Sequence, residues 1–492
     1  MNRNNKFLEK SAPTINIFIM MRLLTFLLAL LIGILPFYSQ FSLIALGLTV
    51  AVASIFLWLL RYVHIPFLYI EKLCCHLTFI TGFFGVALFP IELGAFTLYP
   101  FRIFLLLLYV FFVIRLLMQG GVLFPQNGIK QYIGFFAIWV IYATTSLSWA
   151  ASKYAAFRQL IFLFMGVSLI FFVAYYFRDL YDFNLLYWLW FCAFCIMIIL
   201  GFWEHLTGNH LPVSGYYGEI RERLMYRPTG VFRNPNDYAT FLSLSIPFAL
   251  CLPRYNKNRL LRLLGIGVVL TAFYLIIITG SRANILAVLL ALVFLILFLA
   301  KLKQKVRIVF LVLLTLAIIL FAFPSFIQDF FSKIFTELGS IFVQAKLEYG
   351  SVFVRMNIIR NALEFLYSTA GFGVGAGNAE YWMANYSRYD TLGILNPHNW
   401  WLEILINYGI FIFIGYIAVY IGIIWTLWGL WHNFGSGKER MIAEALLLAF
   451  ISFSVASISS SSIMAFHPQW MLFSFALAFL SNKHILFEGK RG

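Results

Sequence analysis

The stretch NPHNWWLEILINYGIFIFIGYIAVYIGIIWTL, residues 396–427, decides the class of this protein. From Trp400 onward it is an almost uninterrupted apolar run, longer than the roughly 20 residues that a helix needs to cross a bilayer. Polar residues and a proline stand before the run, as is typical where a helix begins. The stretch therefore predicts a transmembrane helix that starts at the membrane surface and carries a titratable side chain, His398, in its first turn.

The rest of the chain has the same character. Of its 492 residues, 62% are hydrophobic and only 11% are charged, and the mean hydropathy is +0.90. Soluble globular proteins contain about one quarter charged residues, so this composition excludes that class. Apolar runs of helical length recur from end to end. In a bilayer such runs form helices, because each backbone polar group must find its partner within the segment.

We therefore predict an all-α fold, a polytopic transmembrane helical bundle of about 12 to 14 spans with a large extracytoplasmic loop that contains amphipathic helices. The predicted spans are 15–36, 41–60, 73–93, 97–118, 129–147, 157–177, 183–205, 237–253, 262–280, 283–300, 306–324, 401–428, 441–460 and 464–482. The chain divides into N-terminal transmembrane helices (1–206), a core that includes the outer loop 325–400 (207–430), and a C-terminal transmembrane hairpin (431–492).

The formal net charge of +16 is explained by the membrane topology of the chain. Lys and Arg concentrate in alternate loops, in clusters such as RYNKNRLLR (254–262) and KLKQKVR (301–307), on the side of both termini. The positive-inside rule places that side, and so both termini, in the cytoplasm. We expect no nucleic-acid partner, because neither an RNA-binding motif nor a soluble basic domain accompanies the charge.

Two segments on the opposite, outer side, 206–236 and 325–400, are too long to be simple connections. The second has apolar residues at helical spacing, as in FIQDFFSKIFTELGSIF (326–342), so we predict amphipathic helices on the outer membrane surface. Arginine outnumbers lysine on this side. Its planar guanidinium favours bidentate binding of phosphate oxygens, so the outer side is suited to a phosphate-bearing ligand.

Polar helix starts on the outer side are candidate anion sites, because the first amides of a helix have no partner within it. One is RPTGVFRNPNDYATF (227–241), in which Asn236 or Asp237 is expected to cap the helix that follows.

A second candidate is TGSRANIL (279–286). Gly280 permits a tight turn, and Ser281 is the expected cap of a helix that has Arg282 in its first turn. Because the cation Arg282 would stand beside backbone amides that have no partner within the helix, we expect the start of this helix to be a second anion site.

The opening stretch is the third candidate. Asn396 is expected to be the cap and Pro397 the first helical residue, which puts His398 in the first turn. The positive helix end disfavours a protonated imidazole, so His398 is a candidate general base near neutral pH. From this helix alone, an interfacial histidine satisfied by the loop is an equally good interpretation.

The outer acids, such as Glu348, Glu380, Asp390 and Glu403, include no Asp-x-Asp pair of the kind that holds a metal with a diphosphate. We therefore expect neither a metal nor another cofactor, and arginine would have to neutralise phosphate. The segment GFGVGAGN (371–378) resembles a nucleotide loop but lacks the Lys-Ser/Thr ending of a P-loop. A turn that lets the backbone approach a ligand is the better interpretation.

These segments, in this order, resemble the bacterial O-antigen ligase and polymerase superfamily, which includes teichuronic-acid and exopolysaccharide polymerases. The resemblance covers roughly residues 225 to 430. It is carried by RPTGVFRNPNDYA (227–239), TGSRANILA (279–287), SVFVRMNIIRNALEF (351–365) ahead of GFGVGAGN, and His398-Asn399 followed after nine residues by Gly409. The last spacing is similar to the His, polar residue, nine residues, Gly signature of the ligases.

The resemblance implies a metal-independent glycosyltransferase of the bacterial cytoplasmic membrane with an extracytoplasmic active site. Its donor would be a glycan linked to undecaprenyl diphosphate and its acceptor a glycan hydroxyl, with the lipid bilayer and polysaccharide-assembly proteins as further partners. By resemblance, Arg282 and Arg355 hold the diphosphate and His398 activates the acceptor hydroxyl. The secondary candidates for binding phosphate or sugar are Arg227, Arg233, Asn236 and Asn399.

Several functions stay open at this point. A polymerase, which extends a second lipid-linked unit, is favoured over a ligase that transfers the glycan to a lipid or protein acceptor. A flippase for lipid-linked oligosaccharides is the alternative from another class. Transporters usually show repeated halves and charges near the midplane, whereas the polar residues here crowd the outer face. A structural scaffold would leave the Arg and His positions freely replaceable.

Overall fold

The computed structural model describes residues 67–93, 96–119, 127–303, 305–306, 350–435, 437–460 and 463–482. The predicted spans 15–36 and 41–60, the span 306–324 after its first residue, and the predicted outer helix at 326–342 lie outside the described residues. Within the described part the chain is almost entirely helical and has one short β-hairpin. The prediction of an all-α protein is confirmed.

The described part begins with α1 (Phe67–Gly82), the strands β1 (Ile91–Leu93) and β2 (Phe96–Leu98), α2 (Pro100–Gln119), α3 (Lys130–Thr145), α4 (Lys153–Tyr176) and α5 (Leu180–Thr207). It continues with the short α6 (Glu222–Met225), α7 (Pro235–Tyr255), α8 (Arg259–Thr279) and α9 (Arg282–Phe294), which runs on into a π-helical turn, Leu295–Leu299. It ends with α10 (Gly350–Ser368), α11 (Ala379–Tyr386), α12 (Trp400–Asn433), α13 (Lys438–Ala456) and α14 (His467–Ser481). The strands pair antiparallel, with Ile91 opposite Leu98.

Each predicted span within the described residues coincides with a helix. The largest difference is at the span predicted over 73–93, which is α1; the chain leaves this helix after Gly82 and then turns into the hairpin. Six helices of the described part are long and apolar enough to cross a membrane: α2, α4, α5, α8, α9 with its π-helical turn, and α12. The protein is therefore a multi-pass membrane protein.

The chain forms two compact units. One comprises residues 1–74 and 106–123, and the other comprises residues 75–105 and 124–492. In the first unit, Arg115 Nε donates to both carboxylate oxygens of Glu71 at 2.8 Å, and both side chains are buried. The second unit contains every residue discussed below.

The centre of the second unit is α7, which is buried along most of its length between α8 and α13. Small polar side chains on α7 permit this close packing, as they do in other membrane helices. Ser452 of α13, for example, donates to the carbonyl oxygen of Ser243 at 3.1 Å. At the last turn of α7, Arg254 Nε donates to Glu444 Oε1 of α13 at 2.5 Å, and Trp431 Nε1 of α12 donates to Glu444 Oε2 at 2.9 Å. The buried carboxylate thus joins three helices.

The long helix α12 is broken at Gly409, where φ is 75°. The segment GFGVGAGN (371–378) fills the break, because Ile410 N donates to Gly371 O at 2.9 Å and Val374 N donates to the carbonyl of residue 406 at 2.8 Å. A Cβ on Gly409 would stand 2.2 Å from Gly371 O. The glycines of this segment therefore approach the protein's own backbone, and not a ligand as the sequence suggested.

We expect Gly409→Ala to lower the free energy of unfolding by about 2–6 kcal/mol, because alanine is strained at this φ and its Cβ clashes with a carbonyl. The measurement is thermal unfolding of the detergent-solubilised protein. Gly429→Ala is the matched control: Gly429 lies on the same helix, and nothing stands within 4 Å of its added Cβ. A Gly409→Ala protein as stable as the wild type would contradict the packing described.

Candidate functional site

A cavity of about 1120 Å³ opens in the second unit. Its wall is formed by the end of α1 and the turn after it, the first turns of α4, the loop between α5 and α7, the start of α7, the start of α11, and the segments that precede α12 and α14. Among its lining residues are Arg158, Arg233, Asn236, Asp237, Glu380 and His398. Four of these, Arg233, Asn236, Glu380 and His398, belong to segments predicted to lie on the outer side, and Arg158 and Asp237 stand at the outer ends of the predicted spans 157–177 and 237–253. Three predicted site residues, Arg233, Asn236 and His398, therefore share one cavity.

His398 lies just before α12 and not in its first turn. Asn399 is the N-cap, with its Oδ1 accepting from Trp401 N at 3.1 Å and Leu402 N at 3.3 Å. The prediction that Asn396 is the cap is wrong; Asn396 Oδ1 instead accepts from His398 N at 2.8 Å. This bond holds His398 at φ 47°, in the left-handed region that is unfavourable for a residue with a side chain. The left-handed backbone before the cap explains why the helix begins later than predicted.

The pKa of His398 is lowered from its ordinary value. Burial is the main cause, because it disfavours the imidazolium, and the positive charge of Arg355 lowers the pKa further, whereas the negative charge of Glu380 raises it. Arg355, an exposed residue of α10, is therefore within electrostatic reach of His398. The net effect is a neutral imidazole at neutral pH, the form that can accept a proton.

Arg282 is the first residue of α9, as predicted, after Gly280 with φ 73° and the N-cap Ser281. The side chain of Ser281 makes no capping hydrogen bond. Its Oγ accepts from Asn284 Nδ2 at 2.9 Å, and the same Nδ2 lies 3.5 Å from the carbonyl oxygen of Asn236, a cavity residue. The start of α9 is thus attached to the cavity wall, although Arg282 itself does not line the cavity.

Arg227 lies beside the same turn. A Cβ added to Gly280 would stand 3.7 Å from the guanidinium carbon of Arg227, so the absence of a side chain leaves room for this cation. Because Arg282 is only two residues further along, both guanidinium-bearing residues flank the start of α9. The first amides of this helix, which lack partners within it, add partial positive charge at the same place.

The start of α7 also differs from the prediction. The cap is Asn234, whose Oδ1 accepts from Asp237 N at 2.9 Å, and Pro235 is the first helical residue. Neither of the expected caps, Asn236 and Asp237, has that role. The carboxylate of Asp237 accepts from Asn234 Nδ2 at 2.6 Å and from Ser460 Oγ, so it is held in place at the cavity wall.

The loop between α5 and α7 is organised by a buried carboxylate, Glu204. Its oxygens accept from Thr229 N at 2.7 Å, from Gly230 N at 2.6 Å and lie 3.1 Å from His210 Nδ1. Because these hydrogen bonds join a buried side chain to both the backbone and a side chain of the loop, Glu204 is the anchor of the loop that carries Arg233. Sequence reasoning missed this residue, because its partners follow only in the folded loop and form no recognisable motif.

Two further cavity residues were missed or undervalued. Arg158 lies in the second turn of α4, a helix that begins on the predicted outer side, so the argument applied to the other helix starts would have found it. Glu380 was considered only as a metal ligand. In the described ranges, no three His, Cys, Asp or Glu side chains are grouped so as to hold a metal ion. What the cavity does offer is guanidinium groups, which bind anionic oxygens, and the imidazoles of His398 and His467.

Comparison with known proteins identifies the family of the chain. The family model described as O-antigen ligase matches residues 266–417, a range that contains Arg282, Arg355, His398 and Gly409. The chain is also 33% identical over 405 residues to the teichuronic acid biosynthesis protein TuaE of Bacillus subtilis (strain 168), a match that covers 80% of this chain and 81% of that protein. The chain therefore belongs to the O-antigen ligase and polymerase superfamily of membrane polysaccharide polymerases and ligases.

Proposed function

We propose that the protein is an integral-membrane glycosyltransferase that polymerises glycan units carried on undecaprenyl diphosphate, at the outer face of the cytoplasmic membrane. The observation that carries this proposal is the neutral His398 in a cavity whose wall bears guanidinium groups. A base and several fixed cations are what transfer from a diphosphate to a hydroxyl requires. The family and the name of the Bacillus subtilis relative support a product of the cell envelope.

The diphosphate is assigned to the start of α9. Arg282 is the first residue of this helix and the guanidinium of Arg227 lies beside Gly280, so two arginines stand next to the first amides of α9. Arg355 would complete the site from α10. As the bond between sugar and diphosphate breaks, negative charge grows on the leaving oxygen, and fixed cations stabilise that charge without reorganisation. No metal is needed for this step in the proposed mechanism.

His398 is assigned to the acceptor. Its imidazole nitrogen takes the proton of the acceptor hydroxyl while the hydroxyl oxygen bonds to the anomeric carbon of the donor. The carbon–oxygen bond to the diphosphate breaks in the same process, so the diphosphate lipid leaves with the bonding electron pair. Arg233 and Asn236, which line the same cavity, are placed to orient sugar hydroxyls or phosphate. Asn399 contributes indirectly in this scheme, since its side-chain oxygen caps α12.

We expect His398→Ala to reduce transfer by about 10²- to 10⁴-fold, the usual contribution of a general base. The assay mixes the purified protein with a glycan linked to undecaprenyl diphosphate and measures the undecaprenyl diphosphate released. His432→Ala, at the far end of α12, is the control and should keep full activity. Movement of the intact lipid-linked glycan across the vesicle membrane without cleavage would contradict the proposed enzyme and indicate a flippase. Full activity of His398→Ala would remove the proposed base.

A second prediction concerns the guanidinium groups. Arg282→Ala and Arg355→Ala should each lower kcat by about 10²- to 10³-fold, as expected when a fixed donor to a developing anion is lost. Lysine at either position should restore part of the rate, because it keeps the charge but not the bidentate geometry. Arg388→Ala, an exposed loop arginine near Glu364, is the matched control. Losses no larger than that of the control would contradict the assignment.

The choice between polymerase and ligase has its own test. In cells that lack the protein, single lipid-linked repeat units should accumulate, because a polymerase consumes them to make longer chains. The measurement is the length distribution of lipid-linked glycans extracted from deletion and complemented strains. Accumulation of finished chains instead would identify the protein as a ligase for a lipid or protein acceptor.

A further inference from the structure

Glu380 is connected to His398 by two hydrogen bonds that pass through one side chain. Asn396 Nδ2 donates to Glu380 Oε1 at 2.6 Å, and Asn396 Oδ1 accepts from His398 N at 2.8 Å. All three residues line the cavity. The side-chain amide of Asn396 thus bridges the two residues: its nitrogen is bound to the Glu380 carboxylate, and its oxygen is bound to the backbone N–H of His398.

The carboxylate is itself on a fixed element. Glu380 is the second residue of α11, and the first, Ala379, donates its N–H to Asn407 Oδ1 at 2.9 Å. Asn407 lies in α12 two residues before the break at Gly409, so α11 is attached to the helix that directly follows His398. The relation between the carboxylate and the imidazole is therefore set by the main packing of the site and not by a free loop.

The cavity that contains the imidazole carries charges of both signs. Besides Glu380, the charged and titratable groups that line it are Arg158 of α4, Tyr216 of the loop before α7, Arg233 and Asp237 at the start of α7, and His467 of α14. Arg355 of α10 acts on His398 electrostatically, and Glu403 of α12 is within electrostatic reach of Glu380. The carboxylate of Asp237 is engaged with Asn234 and Ser460, and Glu403 accepts from Gln159 Nε2 at 3.1 Å. A proton taken up by His398 therefore adds to the positive charge of Arg355, and Glu380 is the carboxylate that acts against it.

We propose that Glu380 is a positioning residue for this base: it fixes His398 through Asn396, and its negative charge stabilises the imidazolium that forms when the acceptor hydroxyl loses its proton. This inference rests on the proposed function. It adds Glu380 as the residue whose negative charge balances the positive charge of protonated His398. Arg355 and Glu380 act on the pKa of His398 in opposite directions, which agrees with this division of roles.

The decisive variant is Glu380→Gln, which keeps an oxygen that can accept from Asn396 but removes the charge. Loss of the carboxylate lowers the pKa of His398, and the base works only when neutral. The acid limb of the pH profile of kcat/KM should therefore move to lower pH, while kcat at its plateau should fall about tenfold, the equivalent of about one pKa unit of lost imidazolium stabilisation. KM should change little.

Two further variants separate charge from structure. Glu380→Asp keeps the charge, so its acid limb should stay near that of the wild type even where the shorter side chain weakens the bond to Asn396. Glu364→Gln, an acid of α10 near Arg388 at 3.6 Å, removes the same charge from the outer region and should leave the profile unchanged.

The outcomes are distinguishable. An active wild type with no shift of the acid limb in Glu380→Gln, or an equal shift in Glu364→Gln, would overturn the role of Glu380 and leave the proposed function intact. A wild type that releases no undecaprenyl diphosphate would overturn both.

Discussion

The site depends on the backbone contact between the break in α12 and the glycine segment that fills it. At Gly409 the helix gives up its regular hydrogen bonds, and Gly371 and Val374 supply replacements from their own backbone. Such an exchange is needed in a membrane protein, since an unsatisfied backbone group at the membrane is unfavourable. The contact fixes α10 and α11, which flank the glycine segment, against the helix that directly follows His398. One packing constraint therefore sets the positions of Arg355, Glu380 and the base together.

Buried polar groups hold the rest of the cavity wall. Glu204 fixes the loop after α5, and the amide of Asn284 joins the start of α9 to α7. Both side chains are fully buried. In the low-dielectric interior, a polar group without a hydrogen-bond partner is unfavourable, so these hydrogen bonds stabilise the fold. The arginines of the proposed site, Arg158, Arg233, Arg282 and Arg355, are exposed instead. The buried polar side chains therefore stabilise the wall, and the exposed guanidinium groups remain accessible to a ligand.

Much of this could be predicted from the sequence. Hydropathy alone located the helices that coincide with the predicted spans, because a transmembrane helix must be apolar along its whole length; the helices α6, α10 and α11 lie outside those spans. The order of the polar motifs indicated the family and singled out His398 and Arg282. Helix starts were less accurate: the caps are Asn234 and Asn399, each a short distance from the residue expected. Neighbouring asparagines can all cap, and only the folded backbone decides among them.

What the sequence could not show is pairing between distant residues. Glu204 meets the loop more than twenty positions later, and Glu380 reaches the base only through Asn396. A lone acid in an apolar sequence gives no sign of its partner, so these residues carry no motif. Arg158 is a different case. Its position near the outer start of a helix could be recognised in the sequence, but it is far along the chain from the other polar motifs and was therefore overlooked. The glycine segment was recognised as special, but its contact with α12 needed the three-dimensional structure.

The most direct test of the proposed site is a cryo-EM structure of the protein with a lipid-linked diphosphate glycan bound. The diphosphate should lie at the start of α9 within hydrogen-bond distance of the guanidinium groups of Arg282 and Arg355. The sugar should enter the cavity so that an acceptor hydroxyl can come within about 3 Å of the imidazole of His398. A diphosphate bound away from both guanidinium groups, or a glycan that never reaches the cavity of His398, would contradict the proposed site.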